Sequence, residues 1–132
     1  MPEVNLWAVL LCGVGSLVLG GLWYSPPVFA KSWQRETGLT EEGLKTGSMA
    51  MIFGVAFLLS LIAAYVFGAF IGRDMSLGVS IHAGLLAGLG LVGAAFGINY
   101  LFERRSLKLW LINAGYHTLQ FTMFGLVFGL MR

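Results

Sequence analysis

A chain of 132 residues with 58% hydrophobic and only 11% charged side chains cannot clothe a water-facing surface; a typical globular protein carries about 25% charged residues. The net charge of +2 is too small to point to nucleic acid, and the single Cys12 excludes an intramolecular disulfide and a zinc or haem motif. Lipid is the implied solvent. The charges are also clustered: none falls between Glu3 and Lys31, Lys45 and Arg73, Asp74 and Glu103, or Lys108 and Arg132. Each gap exceeds the ~20 apolar residues that cross a bilayer at about 1.5 Å per residue. The expected fold is all-α: one domain over 1–132, a four-helix transmembrane bundle of the cell membrane.

The first helix is expected over 4–24, ending at Ser25-Pro26-Pro27, where two missing backbone donors stop it. Met1-Pro2-Glu3 lacks the basic start of a cleaved leader, and the apolar run that follows is longer than a leader's, so this helix reads as a retained span. Segment 25–40 carries Phe29 and Trp33 four apart, with Lys31 and Arg35 on other faces. This suits either a short interfacial helix or a loop anchored by Trp33. Thr40 then reads as an N-cap followed by Glu41 and Glu42, with Leu39 and Leu44 as a hydrophobic staple, and the second helix is expected over 41–72. Asp74 or Ser76 caps the third, over 76–102, and Ser106 the fourth, over 107–131. Connections this short make helices two, three and four antiparallel neighbours.

Orientation follows from the basic residues. Lys31, Arg35, Lys45, Arg104, Arg105 and Lys108 fall on one side, and Arg73 and Arg132 on the other. The bias puts loops 25–45 and 103–108 in the cytoplasm and both termini outside. Trp23, Trp33 and Trp110 gather at the same interface.

A weak repeat runs through the chain. Leu10-Leu11-Cys12-Gly13-Val14-Gly15 parallels Leu85-Leu86-Ala87-Gly88-Leu89-Gly90, Gly21-Leu22-Trp23-Tyr24 parallels Gly97-Ile98-Asn99-Tyr100, and Val66-Phe67-Gly68 parallels Val127-Phe128-Gly129. Two helical hairpins in the same orientation would produce it, as would chance in an apolar alphabet. Small residues must supply close packing in lipid. Gly84 with Gly88, Gly93 with Gly97, Gly68 with Gly72 and Gly125 with Gly129 have the required spacing. A third helix smooth on several sides should sit centrally, and Gly125 and Gly129 suit either internal packing or the seam of a homodimer.

No carboxylate lies within a span, which counts against proton-coupled transport, although a histidine could take that part. Asn99 and Asn113 fall at similar depth on adjacent helices and are expected to bond, with Tyr24 reaching the same layer and Glu103 and Arg104 just above. Below Asn113 a polar stripe, Tyr116, His117 and Gln120, descends one face of the fourth helix and stops near mid-membrane. Two readings stand: interhelical glue worth roughly 0.6–2 kcal/mol per group, or a blind cytoplasm-facing pocket. His82 and His117 differ in depth by on the order of 10 Å, too far to share a metal ion, and no cofactor motif is present.

Three stretches in order carry a resemblance. Leu19-Gly20-Gly21-Leu22-Trp23-Tyr24-Ser25-Pro26 closes the first span, and Gly38-Leu39-Thr40-Glu41-Glu42 precedes the second. Leu101-Phe102-Glu103-Arg104-Arg105-Ser106-Leu107-Lys108 then leads into Leu111-Ile112-Asn113-Ala114-Gly115-Tyr116-His117. The pattern resembles the small membrane proteins grouped as domain of unknown function 1761. The resemblance implies a four-helix membrane protein and brings no reaction. Three functions are therefore weighed: binding or moving a small solute, assembly through glycine-lined helices, and an enzyme at the cytoplasmic interface using His117 or Glu103 with Arg104. The third lacks a catalytic pair. Membrane lipids are the expected surroundings.

Overall fold

The computed structural model describes residues 3–131. Met1, Pro2 and Arg132, which enter the leader and orientation arguments, lie outside the described residues. The described chain is helical with no strands. The elements are α1 (Leu6–Trp23), α2 (Ala30–Thr37), α3 (Glu41–Leu44), α4 (Met49–Ile71), α5 (Leu77–Leu86), a π-helical segment (Ala87–Gly93), α6 (Ala94–Glu103) and α7 (Leu107–Leu130). α5, the π segment and α6 form one continuous rod. Leu6–Trp23, Met49–Ile71 and Leu77–Glu103 are long and apolar enough to cross a membrane, with mean hydropathies of 2.0, 2.4 and 1.8.

Side-chain caps set most of the boundaries. Asn5 opens α1, its Oδ1 accepting from the Trp7 and Ala8 N–H groups. Ser76 and Ser106 open α5 and α7 in the same way. Thr40 caps α3 as its sequence suggests, but the expected single helix over 41–72 is broken. Gly47 adopts φ 81°, a conformation in which side-chain-bearing residues are strained, and Ser48 then caps a fresh start at Met49. The strong cap at Thr40 hid a stronger stop at Thr46-Gly47-Ser48. Segment 25–40 does contain a helix, α2; Phe29, just before it, packs on Trp23, and Trp33 within it packs on Tyr24, which follows α1.

The central helix is α7, not the third rod. α7 touches α1, α2, α4, α5, the π segment and α6, whereas α4 packs mainly on α1 and only slightly on the third rod. The expectation that helices two, three and four are successive neighbours fails between α4 and the third rod for this reason. The glycines explain the arrangement. A Cβ at Gly84 would run into the Phe121 carbonyl oxygen, and one at Gly88 would stand 2.6 Å from that of His117. From the other side, Gly125 presses on the Ser80 carbonyl and Gly129 on Leu77. Two smooth faces therefore meet backbone to backbone. The buried Ser80 hydroxyl donates to the Gly125 carbonyl at 2.7 Å, a bond that this closeness permits. Glycine is used on one main face of the third rod, and Gly90 faces open space.

α1 joins the bundle through Gly13, beside Leu61 and Phe57 of α4, and Gly15, beside Met123 of α7. The apolar core below is Ala8, Val9, Cys12, Ala64, Phe67, Phe124 and Phe128. At this end the Asn5 amide donates to the Met131 carbonyl, tying the start of α1 to the end of α7.

Candidate functional site

The polar face of α7 is organised in two layers. In the first, the Tyr24 hydroxyl donates to Asn113 Oδ1 at 2.6 Å, and Asn113 Nδ2 donates to the Tyr100 hydroxyl at 2.8 Å. The expected Asn99–Asn113 bond does not form, because Tyr24 and Tyr100 occupy both ends of the Asn113 amide. Asn99 lies one residue before Tyr100, which turns it to the exposed side of α6, into a shallow recess with Leu91, Val92, Ala95 and Phe96. Glu103 and Arg104 also lie outside the cluster. Glu103 is 3.7 Å from Arg105, while Arg104 takes a left-handed backbone (φ 60°) and donates to the Leu101 and Phe102 carbonyls, closing the end of α6.

The second layer is half-way along the bundle. The Ser16 hydroxyl donates to the Cys12 carbonyl at 2.8 Å and accepts from Gln120 Nε2 at 2.9 Å. This orients the Gln120 amide, so its Oε1 faces His117 Nδ1 at 2.8 Å. With the amide in this orientation its carbonyl oxygen accepts, so the hydrogen-bond network assigns the proton to Nδ1, and in the neutral ring Nε2 is then the bare nitrogen. The ring is clamped, stacked on Phe96 at 5.1 Å and edge-on to Tyr116 at 4.9 Å. The Tyr116 hydroxyl donates to the Ser16 carbonyl at 2.8 Å. Ser16 and Gln120, 1% and 4% exposed, are the sealed centre of the network.

Two indoles buttress the layers. Trp23 Nε1 donates to the Ile112 carbonyl, and Trp110 Nε1 donates to the carbonyl of Gly93, the last residue of the π segment, both at 2.8 Å. Trp110 fits because Gly97 has no side chain; a Cβ there would stand 3.0 Å from Nε1. Gly93 in turn lies against Gly88 and Ala114. The π segment widens the rod beside His117, and such segments recur near functional sites.

Outward from His117 is a groove of about 370 Å³ between α4 and the third rod, floored by α7. Ala56, Leu59, Ser60 and Ala63 form one wall, Val92 the other, and Tyr116, His117, Gln120 and Phe121 the floor. No buried side-chain nitrogen or oxygen among the described residues lacks a hydrogen-bond partner, and His117 Nε2 makes no bond, so Nε2 is accessible rather than sealed. The groove lies between α4 and the third rod, two elements that barely touch. Among the described residues no three His, Cys, Asp or Glu side chains are grouped to hold a metal.

Of the eight site residues picked from sequence, Tyr24, Asn113, Tyr116, His117 and Gln120 come together, and Asn99, Glu103 and Arg104 do not. Ser16, Tyr100 and Phe96 were missed. Ser16 had a legible signal, as the lone hydroxyl inside the apolar run of α1. The family described as protein of unknown function DUF1761 matches residues 7–129, nearly all of the helical chain including both polar layers. The chain belongs to that family. No curated protein and no solved structure matches this DUF1761 chain.

Proposed function

We propose that this DUF1761 chain is a four-span integral membrane protein that binds a small molecule in the groove beside His117 without acting on it as an enzyme. The three long apolar helices support the membrane reading, as do the outward-facing Leu, Ile, Val and Phe side chains of α1, α4 and the third rod. α7 is the fourth span in this reading; its polar residues turn inward, which lowers its hydropathy without exposing it to lipid. The basic residues that frame α2, α3 and loop 103–108 favour placing that end in the cytoplasm and both termini outside.

The parallel-hairpin repeat also gains support. Gly13 and Gly88, equivalent in the repeat, each make the close approach to the second helix of their own hairpin. Gly68 and Gly129 approach Val4 and Leu77 near the starts of the first helices.

The observation that carries the binding reading is the open Nε2 of a ring whose other nitrogen is fixed by Gln120. A polar atom at mid-span has no bulk water to satisfy it, and intramembrane ionisable side chains mark functional sites by default. Assembly through glycines has less to rest on, because Gly84, Gly88, Gly125 and Gly129 are covered within the chain. Native mass spectrometry of protein released from lipid nanodiscs tests the reading. A small molecule retained by the wild type and lost from His117→Ala supports it; bare protein in both, with the groove occupied by nothing, removes it.

A further inference from the structure

We infer that the groove selects a lipid-soluble molecule bearing a hydroxyl, which it grips as a hydrogen-bond donor to His117 Nε2. The inference rests on the binding reading above and adds the chemical class. The polar atoms lining the groove have already spent their donors inside the protein. The Ser60 hydroxyl donates to the Ala56 carbonyl at 2.9 Å, and the Tyr116 hydroxyl to the Ser16 carbonyl. His117 Nδ1–H is committed to Gln120. Lone pairs remain: those of the Ser60 and Tyr116 oxygens and the bare His117 Nε2. The one uncommitted donor is the second N–H of Gln120, on a residue 4% exposed and turned towards Ser16. A ligand that only accepts hydrogen bonds, such as a ketone or ester, would meet lone pair against lone pair. A hydroxyl completes the chain that runs from Nε2 through the imidazole, Gln120 and Ser16 to the Cys12 carbonyl, each group donating to the next.

The rest of the ligand must be apolar. Leu59, Ala63, Val92 and Phe121 line the groove together with His117, and the groove lies sideways between α4 and the third rod. In a bilayer that groove faces acyl chains, so the ligand arrives dissolved in lipid. Val92 also borders the recess holding Asn99, which continues the surface track towards the cytoplasmic interface.

The test uses the wild-type protein in nanodiscs with three photoreactive diazirine probes of matched size: octylphenol, its methyl ether, and the corresponding alkyl phenyl ketone. Labelled residues are mapped by peptide mass spectrometry. The expected result is labelling of the groove walls by the phenol, with about tenfold weaker labelling by the ether and ketone, the loss of one hydrogen bond. His117→Phe should abolish the preference and His82→Ala should keep it. The wild-type comparison stands alone if His117→Phe proves unstable. Equal labelling by all three probes overturns the hydroxyl class while leaving a binding groove. Preference for the ketone overturns it by showing that His117 offers an N–H. Absence of labelling by any probe overturns the groove itself, and with it the proposed function.

Discussion

Tyr24 and Tyr100 hold opposite ends of the same Asn113 amide, one hydroxyl donating to Oδ1 at 2.6 Å and the other accepting from Nδ2 at 2.8 Å. The two tyrosines close the parallel sequences Gly21-Leu22-Trp23-Tyr24 and Gly97-Ile98-Asn99-Tyr100. One asparagine on α7 thus ties the ends of α1 and α6 together, and fixes the start of the stripe that leads to His117.

Asn113→Leu removes both bonds and strands two phenols. Each interhelical bond in a membrane is worth roughly 0.6–2 kcal/mol, so the variant should lose about 1–3 kcal/mol. Tyr24→Phe and Tyr100→Phe should each cost about half of that or less. Denaturation by sodium dodecyl sulfate in mixed micelles reads all three. A neutral Asn113→Leu would remove Asn113 from the list of stabilising contacts.

The close crossing of the third rod and α7 predicts opposite outcomes for two glycines on that rod. Gly84→Ala directs a methyl into the Phe121 carbonyl and should destabilise by about 1–3 kcal/mol, as overpacking does. Gly90→Ala meets open space and should be neutral or stabilise by up to about 1 kcal/mol through helix propensity. The same denaturation assay separates them; equal effects would contradict the crossing.

Trp110→Phe keeps an aromatic ring but loses the pyrrole part of the indole and with it the N–H bonded to Gly93. It should cost about 1 kcal/mol for the hydrogen bond alone and speed amide exchange over 87–93, because the bond holds the Gly93 carbonyl at the end of the π segment. Exchange unchanged from the wild type would show that the segment holds itself.

The proposed orientation predicts where single cysteines react in a Cys12→Ser background. Ser32→Cys on α2 should be reached by an impermeant thiol reagent only from the cytoplasmic side, and Asp74→Cys, between α4 and α5, only from outside. Labelling of both from one side would contradict a crossing by α4.

Much of this was legible because charge gaps and caps are local signals. Thr40, Ser76 and Ser106 mark helix starts through their own side chains, and the spacing of Phe29 and Trp33 suits the short helix α2. Sequence reasoning failed where two competing local signals met, as at Thr40 and Ser48, and where the answer depended on rotation about a helix axis. Asn99 and Tyr100 are adjacent, yet only Tyr100 points inward, and depth alone does not decide between them. The central place of α7 was also hidden. Glycine number favoured the third rod, whereas α7 gains its position from a polar stripe on one face and Gly125 and Gly129 on another. The π segment at 87–93 has no signature beyond three closely spaced glycines.

The central claim is that the neutral His117 ring carries its proton on Nδ1 and leaves Nε2 open to the groove. Nitrogen-15 NMR of histidine-labelled protein in bilayers, in a His82→Gln background, reads the tautomer directly. The expected spectrum shows a protonated Nδ1 coupled to Gln120 and an unprotonated Nε2 whose shift moves when octylphenol is added. A protonated Nε2 in the ligand-free protein would contradict it, because the groove would then offer a donor and the orientation of Gln120 would be reversed.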